Sequence, residues 1–423
     1  MGGLAGHMSH IWEDLDLTFG DILNILSETT AGAIEATEKV DGINLFFTMG
    51  SDGWTRFARN GTDIKSGGMT QPKFAEIFSG HPAELQFTEG AEAISELCKA
   101  SWWPLGFSRK NWVNCEILHA KSPQTIHYSN SGIVLHEAVG YGPSGTRLGI
   151  DLTTQFNKLV ENIGGQSVNV NGDSWFGRGP IYIELPDLRG DGIFNEAESG
   201  LETILMASNL AWDNTVREFI GESLRRGSVG ELSISPERKE WLIDAILEHE
   251  DARRIIDIKK GLPKGLASKV SALGVKKNRG KIWKESLRPL ELIITRFGAR
   301  YLKNIHSPLV DNPLVEMERL ANAHMAAVTM VEMTQDGNEE IRTSIMADHQ
   351  NKLEAAGFLP PAMEGIAFKF RSGTYKLTGS FSPFNQILGL VRYGRGALPP
   401  LADSKVMEEM IDGIELIRGM SII

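Results

Sequence analysis

A long block with the apolar spacing of helices, residues 196–356, separates two parts of this sequence that have the pattern of β-strands. In "LETILMASNLAWDNTVREFIGESLRR", for example, apolar residues recur three and four positions apart, as a helix with one buried face requires. Strand patterns punctuated by glycine fill most of the chain up to residue 195, and they return at 364–381. This order predicts an α+β fold in which a helical insertion interrupts one sheet-containing core.

We divide the chain accordingly into four segments. Residues 1–195 and 357–395 are the two parts of a core built of antiparallel sheets, residues 196–356 are an all-helical insertion, and residues 396–423 are a short helical tail. The clearest predicted elements of the first part are a helix in "FGDILNILSETT" and strands in "NWVNCEILHA" (111–120), "GIVLHEAVGYG" (132–142) and "GPIYIELPDL" (179–188).

Positive charge is concentrated in one part of the chain. The net charge is −11, but the segment from Arg253 to Lys303 holds 15 Lys and Arg residues against 3 Asp and Glu residues. That segment therefore carries +12 and the rest of the chain −23. Such asymmetry predicts an anion-binding region, although a solvated helical face would give the same pattern.

Composition argues against several classes of protein. No apolar run approaches the roughly 20 residues that a membrane span needs, and we expect no secretory signal. Two cysteines, Cys98 and Cys115, are too few for a disulfide framework or a cysteine-rich zinc site. The sequence therefore predicts a cytoplasmic protein without membrane contacts, and it does not indicate an oligomeric state.

The most unusual residue of the first part is Lys39, which lies in the apolar run "ATEKVDGINLFF". A lysine in an apolar strand ordinarily lays its stem along the surface and keeps its amine in water. Here it begins the pattern Lys-x-Asp-Gly, and in a regular strand Lys39 and Asp41 would share one face. Gly42 would allow an unusual backbone angle or the close approach of a ligand. The pattern predicts one site that contains Lys39 and Asp41.

Further charged motifs follow in order: "ARNG" with Arg59, "NCEIL" with Glu116, "EGIAFK" with Glu364 and Lys369, and "YKLTG" with Lys376. The two lysines belong to "KFRSGTYK", which predicts a hairpin with a two-residue turn at 372–373. That turn places Lys369 directly opposite Lys376, where two ammonium groups repel each other. We therefore predict that both amines lie on the face of Lys39, with a bound anion such as a phosphate between them.

Together these motifs resemble the signature of the covalent nucleotidyltransferase superfamily, which contains polynucleotide ligases and mRNA capping enzymes. "TEKVDG", with Glu38 directly before Lys39, looks closest to the phage-type RNA ligases. The resemblance covers roughly residues 37–120 and 360–380 and leaves out the helical block. It implies the ligase adenylation core as the fold. The last motif departs from the family, because the usual Lys-x-Lys is reduced to Lys376.

The resemblance implies a lysyl-AMP mechanism that uses ATP and Mg²⁺ (or Mn²⁺). Lys39 would be the nucleophile, and Asp41, Lys369 and Lys376 would act in catalysis beside it. An amine attacks phosphorus only when it is unprotonated, so we expect burial and neighbouring cations to lower the pKa of Lys39. The implied contacts with the nucleotide and its metal are Glu38 at the adenine, Arg59 at phosphate or ribose, Glu116 at the ribose, Lys369 and Lys376 at the phosphates, and Glu364 at the metal, with Glu116 as a second metal ligand.

The function that the resemblance implies is an ATP-dependent polynucleotide ligase, similar to RNA ligases, that joins 5′-phosphate and 3′-hydroxyl ends of RNA or DNA. Two alternatives remain open: a GTP-using guanylyltransferase of the capping type, and a catalytically degenerate ligase-fold protein that binds nucleic acid or belongs to a virion. We expect no oligonucleotide-binding barrel after the core, which speaks against the first alternative.

The basic segment 259–284 would contact the nucleic acid by neutralising its phosphates. The residues that we expect to bind it are Lys276, Lys277, Arg279 and Lys281. If a phage encodes the protein, its compartment would be the cytoplasm of the host.

Overall fold

The computed structural model describes residues 8–142, 144–247, 252–274, 276–333 and 362–379, together with residues 381, 385 and 388. The strands are β1 (Ser9–His10), β2 (Ala36–Lys39), β3 (Ile43–Met49), β4 (Thr55–Ala58), β5 (Met69–Thr70), β6 (Asn111–Leu118), β7 (Ser131–Tyr141), β8 (Arg147–Leu148), β9 (Ser167–Val170), β10 (Asp173–Arg178), β11 (Tyr182–Ile183), β12 (Gly365–Phe370) and β13 (Gly373–Thr378). The helices are α1 (Phe19–Thr30), α2 (Gly61–Lys65), α3 (Gln71–Phe78), α4 (Glu84–Trp102), α5 (Thr153–Ile163), α6 (Ile193–Ser208), α7 (Val216–Arg226), α8 (Pro236–Leu247), α9 (Ala252–Lys259), α10 (Lys264–Gly274), α11 (Lys276–Leu302) and α12 (Pro313–Met333). A 3-10 helix, Ile11–Glu13, follows β1.

These elements make a mixed α+β protein with two sheets and a helical middle region. The larger sheet is curled and has eight strands, in the order β5-β4-β3-β6-β7-β10-β9, with β8 paired to the end of β7. The smaller sheet has five strands, in the order β1-β13-β12-β2-β11.

Most neighbouring strands are antiparallel, but the prediction of purely antiparallel sheets is wrong for two pairs. β10 runs parallel to β7, and β1 runs parallel to β13. Parallel strands need a long crossover connection, and the chain between β7 and β10 contains α5, which provides one. β1 and β13 come from widely separated parts of the chain, so no local pattern fixes their direction.

Helices cover one face of each sheet. α4 and α5 pack on the eight-stranded sheet around aromatic side chains that include Phe47, Phe87 and Trp102. The five-stranded sheet packs Ile366, Phe368 and Leu377 into the same apolar cluster as α1, α6 and α11. Its other face carries the side chains of the motif lysines.

Between α6 and α12 the described chain is mainly helical, as the sequence predicts. Residues 334–361 and the predicted tail, 396–423, lie outside the described residues. No described helix is both long enough and apolar enough to cross a membrane. Cys98 and Cys115 are both buried and free.

Some elements of the first part were not predicted. Residues 71–102 form α3 and α4, and residues 167–178 form β9 and β10. The predicted strand in 179–188 is reduced to the two residues of β11. Pro180 and Pro186 flank β11 closely, and proline cannot donate a ladder hydrogen bond.

The apolar run around Lys39 is two strands rather than one. β2 ends at Lys39 in the five-stranded sheet, and β3 begins in the eight-stranded sheet, so residues 40–42 carry the chain from one sheet to the other. Gly42 is required at this crossing, because a Cβ there would lie 2.6 Å from Cγ of Glu116. The expectation that Lys39 and Asp41 share a face of one regular strand is therefore wrong.

The turn of the last hairpin lies one residue earlier than predicted, at Arg371-Ser372. Arg371 has a φ of 52° and its guanidinium binds both carboxylate oxygens of Asp21 in α1, with Nη1 2.8 Å from Oδ2. Two-residue hairpin turns take a positive φ at their first residue, a conformation that arginine rarely adopts, and the ion pair ties this turn to α1.

Lys369 and Lys376 are consequently diagonal neighbours rather than directly opposite. The register pairs Lys369 with Thr374, Lys376 with Ala367, and Lys39 with Gly365. Alternate residues of a strand share a face, so all three lysines lie on one face of the five-stranded sheet. The prediction of a shared face is confirmed, and the prediction of direct opposition is wrong.

Candidate active site

Lys39 forms an ion pair with Glu364. The pairing of β2 with β12 brings the two together, because Lys39 lies opposite Gly365, the residue after Glu364. Only 23% of the Lys39 side-chain surface and 16% of that of Glu364 are exposed. Two motifs from widely separated parts of the sequence thus meet in one largely shielded ion pair.

Glu116 is a second carboxylate whose charge acts on Lys39. It extends from β6, opposite Asn44 of β3. Its Oε1 accepts a hydrogen bond from the backbone N–H of Gly42 at 3.3 Å, and its Oε2 lies 3.1 Å from Nε2 of His136. His136 is the extra residue of a β-bulge between β6 and β7, and bulges of this kind redirect a side chain.

Asp41 is buried and holds the loop 119–130 between β6 and β7. Its Oδ2 accepts hydrogen bonds from the backbone N–H groups of Thr125 at 2.6 Å and Ile126 at 2.8 Å. Its own N–H donates to the hydroxyl of Tyr128 at 2.7 Å. Burial raises the pKa of Asp41, and the two backbone hydrogen bonds oppose that rise. Asp41 therefore fixes the path of the chain directly after Lys39.

The same loop is bound by the helical region. The backbone N–H of His127 donates to the Glu316 carboxylate in α12 at 2.8 Å. Nη2 of Arg319, one turn further along α12, donates to the carbonyl oxygen of Thr125 at 2.6 Å. Loop 119–130 thus joins the segment after Lys39 to the first turns of α12.

The charges around Lys39 favour its protonated form. Burial by itself lowers the pKa of Lys39, but the carboxylates of Glu364, Glu116 and Asp41 together outweigh burial and raise it above its ordinary value. Burial raises the pKa of Glu364 to about 7, against the opposing effect of Lys39. The expectation that burial and cations lower the pKa of Lys39 is therefore wrong for the protein alone, because carboxylates dominate its charged surroundings.

Lys376 is a second amine whose charge interacts with that of Lys39. Burial and then the charge of Lys39 lower the pKa of Lys376. Lys369, on the same face but next to the turn, is exposed. The face therefore presents amines in two environments: a shielded pair, Lys39 and Lys376, and an exposed one at Lys369.

The other residues named by the resemblance make different contacts. The guanidinium of Arg59 lies over the rings of Phe87 and Phe78, 4.5 and 5.5 Å from their centroids. The side chain of Glu38 lies on the opposite face from Lys39, where its Oε2 accepts a hydrogen bond from Ser307 at 2.9 Å. Lys276, Lys277, Arg279 and Lys281 lie in the first turns of α11, and their side chains are outside the described ones.

Sequence reasoning missed the residues that position these groups. Tyr128 holds Asp41, His136 holds Glu116, and Ser307 holds Glu38. None of the three belongs to a recognisable motif, and the contacts of Tyr128 and Ser307 join residues far apart in the chain. No local signal in the sequence would have identified them.

Two of the carboxylates are suited to a metal ion that arrives with a nucleotide. Within the described ranges, no group of three or more His, Cys, Asp or Glu side chains is arranged to hold a metal. The charges of Glu364 and Glu116 nevertheless both raise the pKa of Lys39, so both carboxylates lie within electrostatic range of its amine. Mg²⁺ is usually held by one or two carboxylates together with substrate phosphates and water. The donor set fits that kind of binding.

Glu38→Gln is expected to stabilise the protein at alkaline pH. Burial raises the pKa of Glu38 to about 7, although Ser307 and Arg178 favour its charged form, and its buried Oε1 has no hydrogen-bond partner among the described residues. A carboxyl whose pKa is raised on folding contributes stability that is full below pH 4.5 and is lost as the pH rises through about 7. The glutamine keeps the shape without the charge. We expect the variant to be more stable by roughly 2–3 kcal/mol at pH 8, and by little at pH 5.

Urea unfolding at both pH values measures this difference. Glu35→Gln is the matched control, because Glu35 is exposed in the same segment. It should change the free energy of unfolding by less than about 0.5 kcal/mol at either pH. A Glu38→Gln variant with an unchanged pH dependence would show that the carboxylate is solvated or paired in solution.

Comparisons with protein-family models, with curated proteins and with solved structures gave no match to this chain. Any assignment of function therefore depends on the chemistry of the residues around Lys39.

Proposed function

We propose that this protein is an ATP-dependent polynucleotide ligase, similar to RNA ligases, that works through a lysyl-AMP intermediate. The observation that supports it most is the convergence of Lys39, Glu116, Glu364 and Lys376, which come from four separate motifs. Their convergence depends on the pairing of β2 with β12, of β3 with β6, and of β12 with β13. A lysine with only a structural role would not require charge interactions with three residues that belong to three other motifs.

In the first step, Nζ of Lys39 forms a bond to the α-phosphorus of ATP as the bond to pyrophosphate breaks, and the pyrophosphate carries away one proton of the former ammonium group. The other proton is given up before Nζ attacks. Glu364, with a pKa of about 7 and in direct contact with the ammonium group, is the described group positioned to accept that proton. Lys376 and Lys369 lie on the same face and would bind the phosphates. Glu116 would hold Mg²⁺ or Mn²⁺ together with the phosphates, and Glu364 would join it only while its carboxylate is unprotonated. The metal would neutralise charge on the phosphates.

The two later steps would use the same groups. AMP passes from Lys39 to the 5′-phosphate of a polynucleotide, and a 3′-hydroxyl then attacks that phosphate and releases AMP. Lys369 is exposed at the edge of the site, where a polynucleotide phosphate can reach it. The substrate that the proposal implies is a nucleic acid with a 5′-phosphate and a 3′-hydroxyl end.

One observation favours a second candidate, a non-catalytic ligase-fold protein that binds nucleic acid. The pKa of Lys39 is raised rather than lowered, and its amine is held in an ion pair. A purely structural lysine would have the same two properties.

The mass of the intact protein after incubation with ATP and Mg²⁺ tests the proposal. The protein is first treated with pyrophosphate, which removes any AMP already attached. We expect a mass gain of one AMP with ATP and none with GTP or NAD. A gain of one GMP instead would identify a guanylyltransferase of the capping type. No adduct with any of the three nucleotides, from folded protein, would contradict the ligase and favour the non-catalytic candidate.

A further inference from the structure

A basic groove lies between α9 and α10, in the helical region. It is shallow and wide open to solvent, has a volume of about 600 Å³, and its described lining residues are Lys259, Lys260, Lys264, Ala267, Ser268 and Ser271. Its described lining residues all belong to the basic segment 259–284.

The groove has the chemistry of an anion site. The described residues that line it contribute three lysines and two serine hydroxyls, and none of them is a carboxylate. Lys259 Nζ lies 3.3 Å from Oγ of Ser271, and in the part of the chain that the structure describes none of the three lysines is paired with a carboxylate. Three ammonium groups around one concave surface repel each other, and an anion between them would relieve that repulsion.

The scaffold of the groove is packed on its neighbours. Ile258 of α9 and Val270 of α10 are buried in the same apolar cluster as α8. Nη2 of Arg238 in α8 donates a hydrogen bond to the carbonyl oxygen of Lys260 at 3.0 Å, which fixes the turn between the two helices. The three lysines thus lie on two helices, and on the turn between them, that are packed against α8.

We infer that this groove binds the phosphate backbone of a polynucleotide. None of its described lining residues is aromatic, and the lysines and hydroxyls suit phosphates rather than bases. The basic sequence continues past α10 into the first turns of α11, which suits an extended polyanion better than a single nucleotide. The inference rests on the proposed function only in taking this polynucleotide as the substrate of the ligase.

Binding of a fluorescent single-stranded RNA, about 20 nucleotides long so that it exceeds one binding site, tests the inference at several salt concentrations. The variant replaces Lys259, Lys260 and Lys264 with alanine. Each phosphate contact contributes about 0.7 to the slope of log K against log salt for single strands. We expect the slope to become shallower by about two, and AMP-adduct formation to stay within about twofold of the wild type.

Two matched variants make this result specific. Replacing Lys73, Lys110 and Lys158 with alanine changes the net charge equally, at exposed positions around the eight-stranded sheet, and should leave the slope unchanged. Replacing Lys259, Lys260 and Lys264 with arginine keeps the charge and should keep the slope. Replacing Lys276, Lys277, Arg279 and Lys281 with alanine measures the other basic cluster separately.

The outcomes for the groove and for the enzyme are distinct. The inference would be overturned if the slope of log K against log salt were the same in the alanine variant and the wild type. It would also be overturned if the wild type did not bind RNA. The inference would also be overturned if poly-glutamate displaced the fluorescent RNA as well as unlabelled RNA of the same charge does. That result would indicate a surface for acidic proteins. RNA binding with the expected change of slope, but without any AMP adduct, would support the groove and contradict the ligase.

Discussion

Replacing Lys39 with arginine is expected to abolish the AMP adduct without unfolding the protein. The guanidinium can keep the ion pair with Glu364, but it stays protonated at any pH the protein tolerates, so it is not a nucleophile. We expect adduct formation to fall at least about a thousandfold, the scale on which loss of a nucleophile impairs an enzyme. Intact-mass measurement gives the adduct, and thermal unfolding gives the stability, which should change little.

The alanine variant separates the chemistry from the ion pair. Lys39→Ala leaves the shielded carboxylate of Glu364 without its cation, and breaking one side of such a pair costs roughly 2–4 kcal/mol of stability. Combining it with Glu364→Gln should restore most of that loss, because both charges are then absent. An adduct that forms normally on Lys39→Arg would place the AMP on another side chain and contradict the proposed nucleophile.

Asp41→Ala is expected to be the most destabilising single change near the site. It removes the acceptor of two buried backbone N–H groups, those of Thr125 and Ile126. Each donor left without a partner costs about 1–3 kcal/mol, so the variant should lose roughly 3–5 kcal/mol. Urea unfolding measures the loss, and hydrogen exchange should show faster exchange of the amides of loop 119–130.

Asp41→Asn is the matched control for this prediction. The asparagine oxygen can accept the same two hydrogen bonds, and burial already raises the pKa of Asp41, so the neutral side chain should suit the site. We expect a stability within about 1 kcal/mol of the wild type and adduct formation within about tenfold. If asparagine destabilises as strongly as alanine, the negative charge of Asp41, rather than its hydrogen bonds, supports the loop.

The meeting of distant motifs was the part of the site that the sequence predicted best. Lys39, Lys369 and Lys376 were expected on one face, and the observed register places them there. The shift of the hairpin turn by one residue did not disturb this result, because each lysine's face depends on the odd or even position of its residue along the strand. The helical character of the middle region was also predictable, because helical periodicity persists through it.

The predictions made from the sequence were wrong where contacts between distant parts of the chain determine the local structure. Arg371 takes a positive φ as the first residue of a two-residue turn, and its guanidinium contacts Asp21 of α1, a contact that no residue of the hairpin itself signals. The strand around Lys39 breaks because Asp41 is drawn to loop 119–130. The pKa of Lys39 rises because β2 lies beside β12, which brings Glu364 to the amine. A sequence pattern shows which residue types are present, but it does not show which charged side chains will lie closest to a given group in the folded protein.

The hydrogen bonds between loop 119–130 and α12 mean that the helical region is not a separable module. Glu316 and Arg319 hold the loop from one side while Asp41 holds it from the other. A shortened protein without 196–356 would therefore lose the hydrogen bonds of Glu316 and Arg319 to the loop that holds the segment after Lys39. Exchanging this region with that of another protein would alter the candidate active site itself, and not only the surface offered to a nucleic acid.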